Sequence, residues 1–443
     1  MAKLLAKHGV SVTIVVTPLN AARSSSVIDR AVATGLSIRL LQIRFPAEAA
    51  GLPPGCESAD CLPSYHFLRN FFAAINMLQQ PLEEILIDLK PSPSCIICDK
   101  HISWTADTCN KFQIPRIIFD GMSCFAQLIM HRLYFSKIHE TVSPSELFAV
   151  PDLPDKIEFT KLQLPGYFNP GSVDIGDFRE QVWKTESQAY GVVVNTFKDL
   201  EKRYLDEYRK IKGGKVWSIG PLSLFSNDDL DRAERGNQAS IDADQCLNWL
   251  DNREPGSVIY ACLGSLSRLS PDQFVELASG LEISNHPFIL VIKGGAKSEE
   301  IEKWILDSGF EERTKERGVL IRGGPHKVFT GLPMITWPIF AEQFLNEKLV
   351  VQILGTGVGV GARVVIHLGE EEKDENKVKR DEIKSAIEMV MDEGEKGCER
   401  RKRAKKVGEM AKRSMEEGGS SYLNIGMLIQ EIAQLGNSKH GIE

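Results

Sequence analysis

The chain is predicted to be an α/β protein built from two doubly wound parallel sheets. Three observations carry that prediction. Short apolar, strand-like runs alternate with helically spaced stretches through the first half, as in parallel sheets joined by crossover helices. The alternation stops at 223–244, a segment rich in Ser, Asp, Asn and charge with almost no periodicity, and then restarts. A length of 443 residues suits two domains of ordinary size. The expected units are a domain over 1–222, a linker over 223–244, a second domain over 245–415 and a closing helix over 416–443.

The net charge of −7 argues against a nucleic-acid partner or an anionic membrane surface. No apolar run approaches the roughly 18 residues of a membrane span, and the N-terminus lacks a signal-peptide layout. Nine cysteines without framework spacing suit a reducing cytosol. Cys95 and Cys98 form a C-x-x-C inside a strand-like run, where residues i and i+3 face opposite sides, so they read as buried, inert thiols.

Taken in order, Ala2 to Gly9 reads as the last two turns of a helix ended by glycine. Val10–Val16 follows as a buried parallel-type strand. A domain that begins midway through a helix, with no strand before it, reads as truncated. Ser94–Asp99 is a strand ending in an acid, and Asp99 reads by itself as a cap for the next helix. Further strands are expected at Ile114–Phe119, Gly191–Phe197 and Trp217–Leu222.

In the second half, Gln245–Asp251 is a short helix and Ser257–Leu263 a strand closed by Gly264-Ser265. That pair reads either as a phosphate contact or as a tight turn without a ligand. Ser270-Pro271-Asp272-Gln273 has the layout of a capping box with proline at the first helical position. Phe274, Leu277, Ala278 and Leu281 form the buried stripe of that helix. Phe288–Ile292 and Val319–Ile321 are strands. The glycines of 355–361 imitate a dinucleotide fingerprint but follow a helix, so that match is set aside. A charged loop over 370–380 leads to a helix at Ile383–Met391, a basic helix face over 399–413 and a last helix through Leu423, Ile425 and Leu428.

One stretch points to chemistry. Met334, Ile335 and Trp337 form a short apolar strand closed by Pro338, and Glu342-Gln343 then opens a helix. A carboxylate and a carboxamide thus stand at the C-terminal end of a strand, where open α/β sheets bind ligands. Side by side they can share the hydroxyls of a polyol, one accepting hydrogen bonds and the other both donating and accepting.

Gly331-Leu-Pro, followed by Trp-Pro-Ile-Phe-Ala and Glu342-Gln343, resembles the end of the signature box of plant family-1 UDP-dependent glycosyltransferases. Thr17–Ala22, Gly51–Cys56, Ser94–Asp99, Leu164–Gly166, Gly191–Phe197 and Trp217–Leu222 also look like family segments, so the resemblance covers nearly the whole chain. It implies the GT-B architecture, two Rossmann-like domains facing a cleft. It also implies inverting transfer of a sugar, with Gln343 leaning to glucose and hence UDP-glucose. The acceptor would be a hydroxyl on a small lipophilic metabolite of flavonoid, terpenoid, steroid or phenolic class. The UDP-sugar is then a co-substrate, with no further cofactor, no metal, and a cytoplasmic setting. By the same resemblance Trp337, Glu342 and Gln343 hold the donor sugar, Gly264 and Ser265 lie near its diphosphate, Asp99 orients a catalytic histidine, and the closing helix returns to the first domain.

The chain departs from that pattern twice. The family's base histidine comes from a loop preceding the helix at Ala2, whereas His8 lies within that helix. Between Gly323 and Gly331, relatives carry a helix, a strand and a second helix with a His-Cys-Gly-Trp-Asn-Ser core that holds the nucleotide. The connection here is shorter than the roughly dozen residues that a parallel crossover needs. Either the flanking strands no longer sit in their family order, or the second domain has a hole where a strand belongs. Gly324-Pro325-His326-Lys327 matches the family's Trp-Ala-Pro-Gln read one base later, as a one-base slip or a misplaced splice junction would produce. Loss of a general base alone typically costs about 10²–10⁴ in rate. Little or no transfer is therefore expected, with an inactive binding relative or a decayed gene product as alternatives.

Overall fold

The computed structural model describes residues 1–171, 176–225, 243–264, 269–292, 298–323, 331–367, 370 and 377–440. In the first half the strands are β1 (Val12–Val16), β2 (Ile38–Gln42), β3 (Ile96–Asp99), β4 (Arg116–Asp120), β5 (Phe148–Ala149), β6 (Glu158–Phe159), β7 (Gly191–Val194) and β8 (Val216–Ser218). A parallel sheet runs in the order β3-β4-β7-β8, and β1 pairs in parallel with β2. The continuous apolar runs of β4 and β7 have a physical reason. Ile117, Ile118, Val192, Val193 and Val194 are all buried, because helices cover both faces of a parallel sheet. Gly191 opens β7 because a Cβ there would fall 2.5 Å from the Trp217 ring.

The second half holds β9 (Ile259–Ala261), β10 (Phe288–Ile292), β11 (Gly318–Arg322), β12 (Met334–Thr336) and β13 (Gly357–Gly359). Its sheets run β11-β10-β9 and β12-β13, all parallel. This is the expected α/β architecture of parallel sheets in a Rossmann-like arrangement.

Each half contains a divide. Among the described residues, no ladder joins β1 to β3, and none joins β9 to β12. Side chains close both divides. Val10 and Val12 share a cluster with Cys95, Ile97 and Ile117, and Ile259 and Ala261 share one with Ile335, Val358 and Val360. β11 is the outer edge of one sheet and β12 belongs to another. The four-residue stretch Gly324–Lys327 lies outside the described residues, as does most of the polar segment over 223–244.

Caps set the helix starts. Ser123 Oγ accepts from the Ala126 amide at 3.1 Å. The buried Glu201 carboxylate takes the next two free amides of that helix, Cys124 and Phe125, at 3.1 and 2.6 Å. Ser270 accepts from the Gln273 amide at 3.2 Å, as expected. Gln273 does not complete the box, however. Its amide pairs with both backbone groups of Val378 at 2.8 Å, which pins the start of the helix Arg380–Met391.

The last helix, Ser420–His440, lays Ile425, Leu428 and Ile432 against Ile117, Val193 and Trp217 of the first half. Leu345 and Leu349, from the second half, are buried with Phe125, Leu128 and Ile129.

Two predictions follow from this packing. Leu428 is fully buried, so Leu428→Ala should lower stability in urea melts by about 2–5 kcal/mol. Glu276 accepts from the Arg380 amide at 2.7 Å and its guanidinium at 2.8 Å, and the hydrogen bond from Arg380 holds its carboxyl below the usual range. Its stabilisation is present above the unfolded carboxyl value of about 4.3 and is lost as pH falls through the lower folded value. Glu276→Gln should therefore remove about 1 kcal/mol at neutral pH and flatten the acid side of the stability profile in pH-dependent melts.

Candidate active site

Open α/β sheets bind ligands at the C-terminal ends of their strands, which in the first half include the ends of β3 and β4. Neighbouring residues on an extended chain point to opposite sides, and here burial decides which side each takes. Lys100 is buried and donates to Asp120 Oδ2 at 2.9 Å. Asp120 also accepts from the Gln127 amide and from the Met122 backbone N–H at 2.9 Å. With Lys100 tied inward, Asp99 and His101 are half-exposed. The His101 backbone N–H and ring Nδ1 both bond Asp99 Oδ1, at 2.8 and 2.7 Å. Partial burial would raise the Asp99 carboxyl, but the bonds from His101 outweigh it and hold the group below its usual value.

Beside this pair stands an aromatic surface. The Phe178 ring lies nearly parallel to His101 at 6.2 Å between centroids, and Phe72 stacks on Phe178 at 3.9 Å. Trp104 anchors the same region by donating its indole N–H to the Ile75 carbonyl at 2.9 Å.

The second half supplies the facing residues. Past β12, Trp337 packs against the cluster around Val358 and Val360. Ala341 takes a φ of +52°, a left-handed backbone, immediately before Glu342. Glu342 is the N-cap of the helix Gln343–Glu347, one position earlier than its expected place in the first turn. Gln343 uses its own carbonyl oxygen to accept from the Ile339 and Phe340 amides at 2.7 and 3.3 Å, so its donating NH₂ is not used in this turn. Glu342 receives a long contact from Asn346 at 3.4 Å, so its carboxylate keeps acceptor capacity. Asn346 also accepts from the Ser123 hydroxyl at 3.1 Å. Ser123 follows β4, so this bond sets the Glu342–Gln343 turn against the C-terminal edge of the first half's sheet.

Gly264, after β9, has a φ of +86° and open space where a Cβ would stand. Ser265 lies outside the described residues. Burial pushes the Cys95 thiol up to about 12, in keeping with an inert role. Among the described residues, no group of three or more His, Cys, Asp and Glu is placed to hold a metal ion.

The structure thus brings Asp99 together with His101, and Glu342 together with Gln343. His101 was missed in the sequence. Its signal was available: Asp99-Lys100-His101 puts an acid and an imidazole two residues apart at a strand end, on one side of the chain.

No family model matches the chain. UDP-glycosyltransferase 73C3 of Arabidopsis thaliana is 44% identical over 466 residues, covering 99% of this chain and 94% of its own. UDP-glycosyltransferase 1 of Barbarea vulgaris is 43% identical with the same coverage. Among solved structures, UGT73P12 of Glycyrrhiza uralensis, complexed with glycyrrhetinic acid 3-O-monoglucuronide, superposes with a TM-score of 0.87 at 31% identity, covering 99% of this chain and 93% of its own. UGT89C1 of Arabidopsis thaliana with UDP-L-rhamnose gives 0.70 at 25% identity, covering 97% and 95%. Identity of this order, sustained over nearly the whole chain and joined to the same fold, places it: the chain belongs to the plant UDP-glycosyltransferase family.

Proposed function

We propose that the chain transfers glucose from UDP-glucose, with inversion, to a hydroxyl of a small lipophilic metabolite. The observation that carries this reading is the Glu342–Gln343 turn, held at the C-terminal edge of the first half's sheet by the Ser123–Asn346 bond. The Glu342 carboxylate accepts from sugar hydroxyls while the Gln343 amide donates to them, and Trp337 borders the same strand end. Gly264, without a side chain, lets a diphosphate approach the backbone after β9, and Ser265 is assigned to the same group. Asp99 acts as the orienting acid. The stacked Phe72 and Phe178 rings offer a flat apolar surface to an acceptor of flavonoid, terpenoid, steroid or phenolic class. No helix among the described residues is long and apolar enough to cross a membrane. That fact, with the scattered cysteines, supports action in the cytosol.

A second reading is a relative that binds small molecules without transferring sugar. The divide between β9 and β12 favours it, because among the described residues no ladder continues the sheet past β9, the strand that Gly264 follows. Alignments of 466 positions against a chain of 443 residues also mean that the relative carries residues with no counterpart here.

Calorimetry with UDP-glucose, paired with mass spectrometry of acceptor mixtures, separates the two. Binding with a product heavier by one hexose supports transfer. Acceptor binding without a product supports the second reading, and neither binding nor product overturns both. Glu342→Ala should weaken UDP-glucose binding by roughly 10–100-fold, the range of a lost charged hydrogen bond, while leaving UDP binding unchanged. An equal loss for UDP would show that Glu342 does not face the sugar.

A further inference from the structure

We propose that Cys56 and Cys61 are a redox-responsive pair, which oxidised glutathione converts to an intrachain disulfide that loosens the Phe72 side of the acceptor surface. The link to the acceptor rests on the glycosyl-transfer reading above, whereas the bond itself does not. The pair lies in the connection between β2 and the helix Leu68–Asn76. Cys61 closes a 3₁₀ turn over Ala59–Cys61. The Cys56 thiol donates to the Cys61 carbonyl at 3.4 Å, so one sulfur already reaches the other residue.

The two thiols stand in different surroundings. Cys61 is only partly buried. Its sulfur accepts from Arg23 Nη2 at 3.1 Å and from the Ser58 hydroxyl at 3.4 Å, with Asp60 Oδ1 at 3.9 Å. Reactive cysteines sit partly exposed beside cationic groups, because the thiolate is the nucleophile. Arg23 is held at this post by Ser58 Oγ at 3.1 Å and Asp60 Oδ1 at 3.5 Å. Cys56 is buried in a cluster with Leu52, Leu62 and Phe71. Burial pushes its thiol up, and Cys61 adds to the shift. Cys61 therefore meets the reagent first, and Cys56 follows from inside.

The loop is tied to the site on both sides. The Leu19 amide donates to Glu57 Oε2 at 2.8 Å, and the Asn20 side chain donates to the Glu57 carbonyl at 3.1 Å. These bonds fasten it to the start of the helix Pro18–Ala33, which follows β1. In the other direction, Phe72 packs against the cluster that holds Cys56 and stacks on Phe178. Joining the sulfurs draws Cys56 Sγ out of that cluster and Cys61 Sγ off Arg23, which takes support from beneath Phe72.

The exchange balances as follows. The Cys61 thiolate attacks one sulfur of oxidised glutathione, the reagent's S–S bond breaks, and one glutathione leaves as a thiolate. Cys56 gives its proton to water and attacks the Cys61 sulfur, and the second glutathione leaves as a thiolate. Two protein thiols are oxidised to one disulfide, and the reagent is reduced to two thiols.

The test treats the full chain with oxidised glutathione, alkylates the remaining thiols and maps the peptides by mass spectrometry. Cys398, exposed on the helix Glu395–Met415, is the internal reference. The map should show Cys56 joined to Cys61, reversibly with dithiothreitol. Cys56→Ser should instead stop with glutathione on Cys61, and Cys61→Ser should leave Cys56 as a free thiol. Alkylation of both Cys56 and Cys61 while Cys398 carries glutathione would overturn the pair, as would glutathione left standing on Cys61 in the unaltered chain. Quercetin binding, read by tryptophan quenching, should weaken by about 5-fold on oxidation, the lower end of coupling between two sites. It should recover on reduction and stay constant in Cys61→Ser. Equal binding by the oxidised and reduced chains would overturn the coupling. A reduced chain that binds no quercetin would overturn the acceptor reading and the coupling with it, while the peptide map decides the bond separately.

Discussion

Leu345 and Leu349 of the second half are buried among Phe125, Leu128 and Ile129 of the first, and among the described residues no strand ladder crosses between the halves. Whether there is a cleft at all depends on this apolar contact. Each fully buried leucine contributes about 1.5–3 kcal/mol, against about 1 kcal/mol for a hydrogen bond such as Ser123 to Asn346. Packing therefore holds the halves together, and the polar bond adjusts their register. The short helix that buries Leu345 also starts at Gln343 with Glu342 as its cap. Glu342, Gln343 and the leucines that fasten the two halves thus share one short stretch of chain.

A similar economy operates on the other side of the cleft. The Lys100–Asp120 pair is buried, and burying two charges is weak evidence of net stability even when they are well paired. Its effect on orientation is clearer. Drawing Lys100 inward leaves Asp99 and His101 on the side away from it, where each is the other's polar partner. An acid–imidazole pair at a strand end results from sequence alternation combined with one buried amine.

Much of the fold was legible in the sequence because its causes are local. The valines of β7, the serine before Pro271 and the glycine after the first helix each announce their element through side-chain chemistry. The strand β13 was not legible. It reads Gly-Val-Gly, with poor strand propensity, and forms because β12 passes so close that a Cβ on Gly357 would fall 2.6 Å from the Met334 carbonyl. Gln273 reaching Val378 could not be read either, since the two meet only through tertiary structure. At the site, the neighbourhood of Glu342 and Gln343 was visible, whereas the use of Gln343's carbonyl on its own turn was not. The contact between His101 and Asp99 needed the fold, because only the turn after β3 brings the ring and the backbone N–H of His101 onto one carboxylate oxygen.

The divided sheets bear on how the molecule comes apart. In an unbroken parallel sheet, any separation must break ladder hydrogen bonds, and this couples distant strands into one cooperative unit. Here, among the described residues, β1 and β2 meet β3, and β12 and β13 meet β9, through side-chain contacts without a ladder. Such a chain is expected to open in blocks rather than all at once, with each block showing its own protection against amide exchange. Apolar strand residues that border the divides, Val15, Tyr260 and Met334, are already exposed. An opened block would therefore present strand edges to its neighbours, a route to association that strengthens with protein concentration.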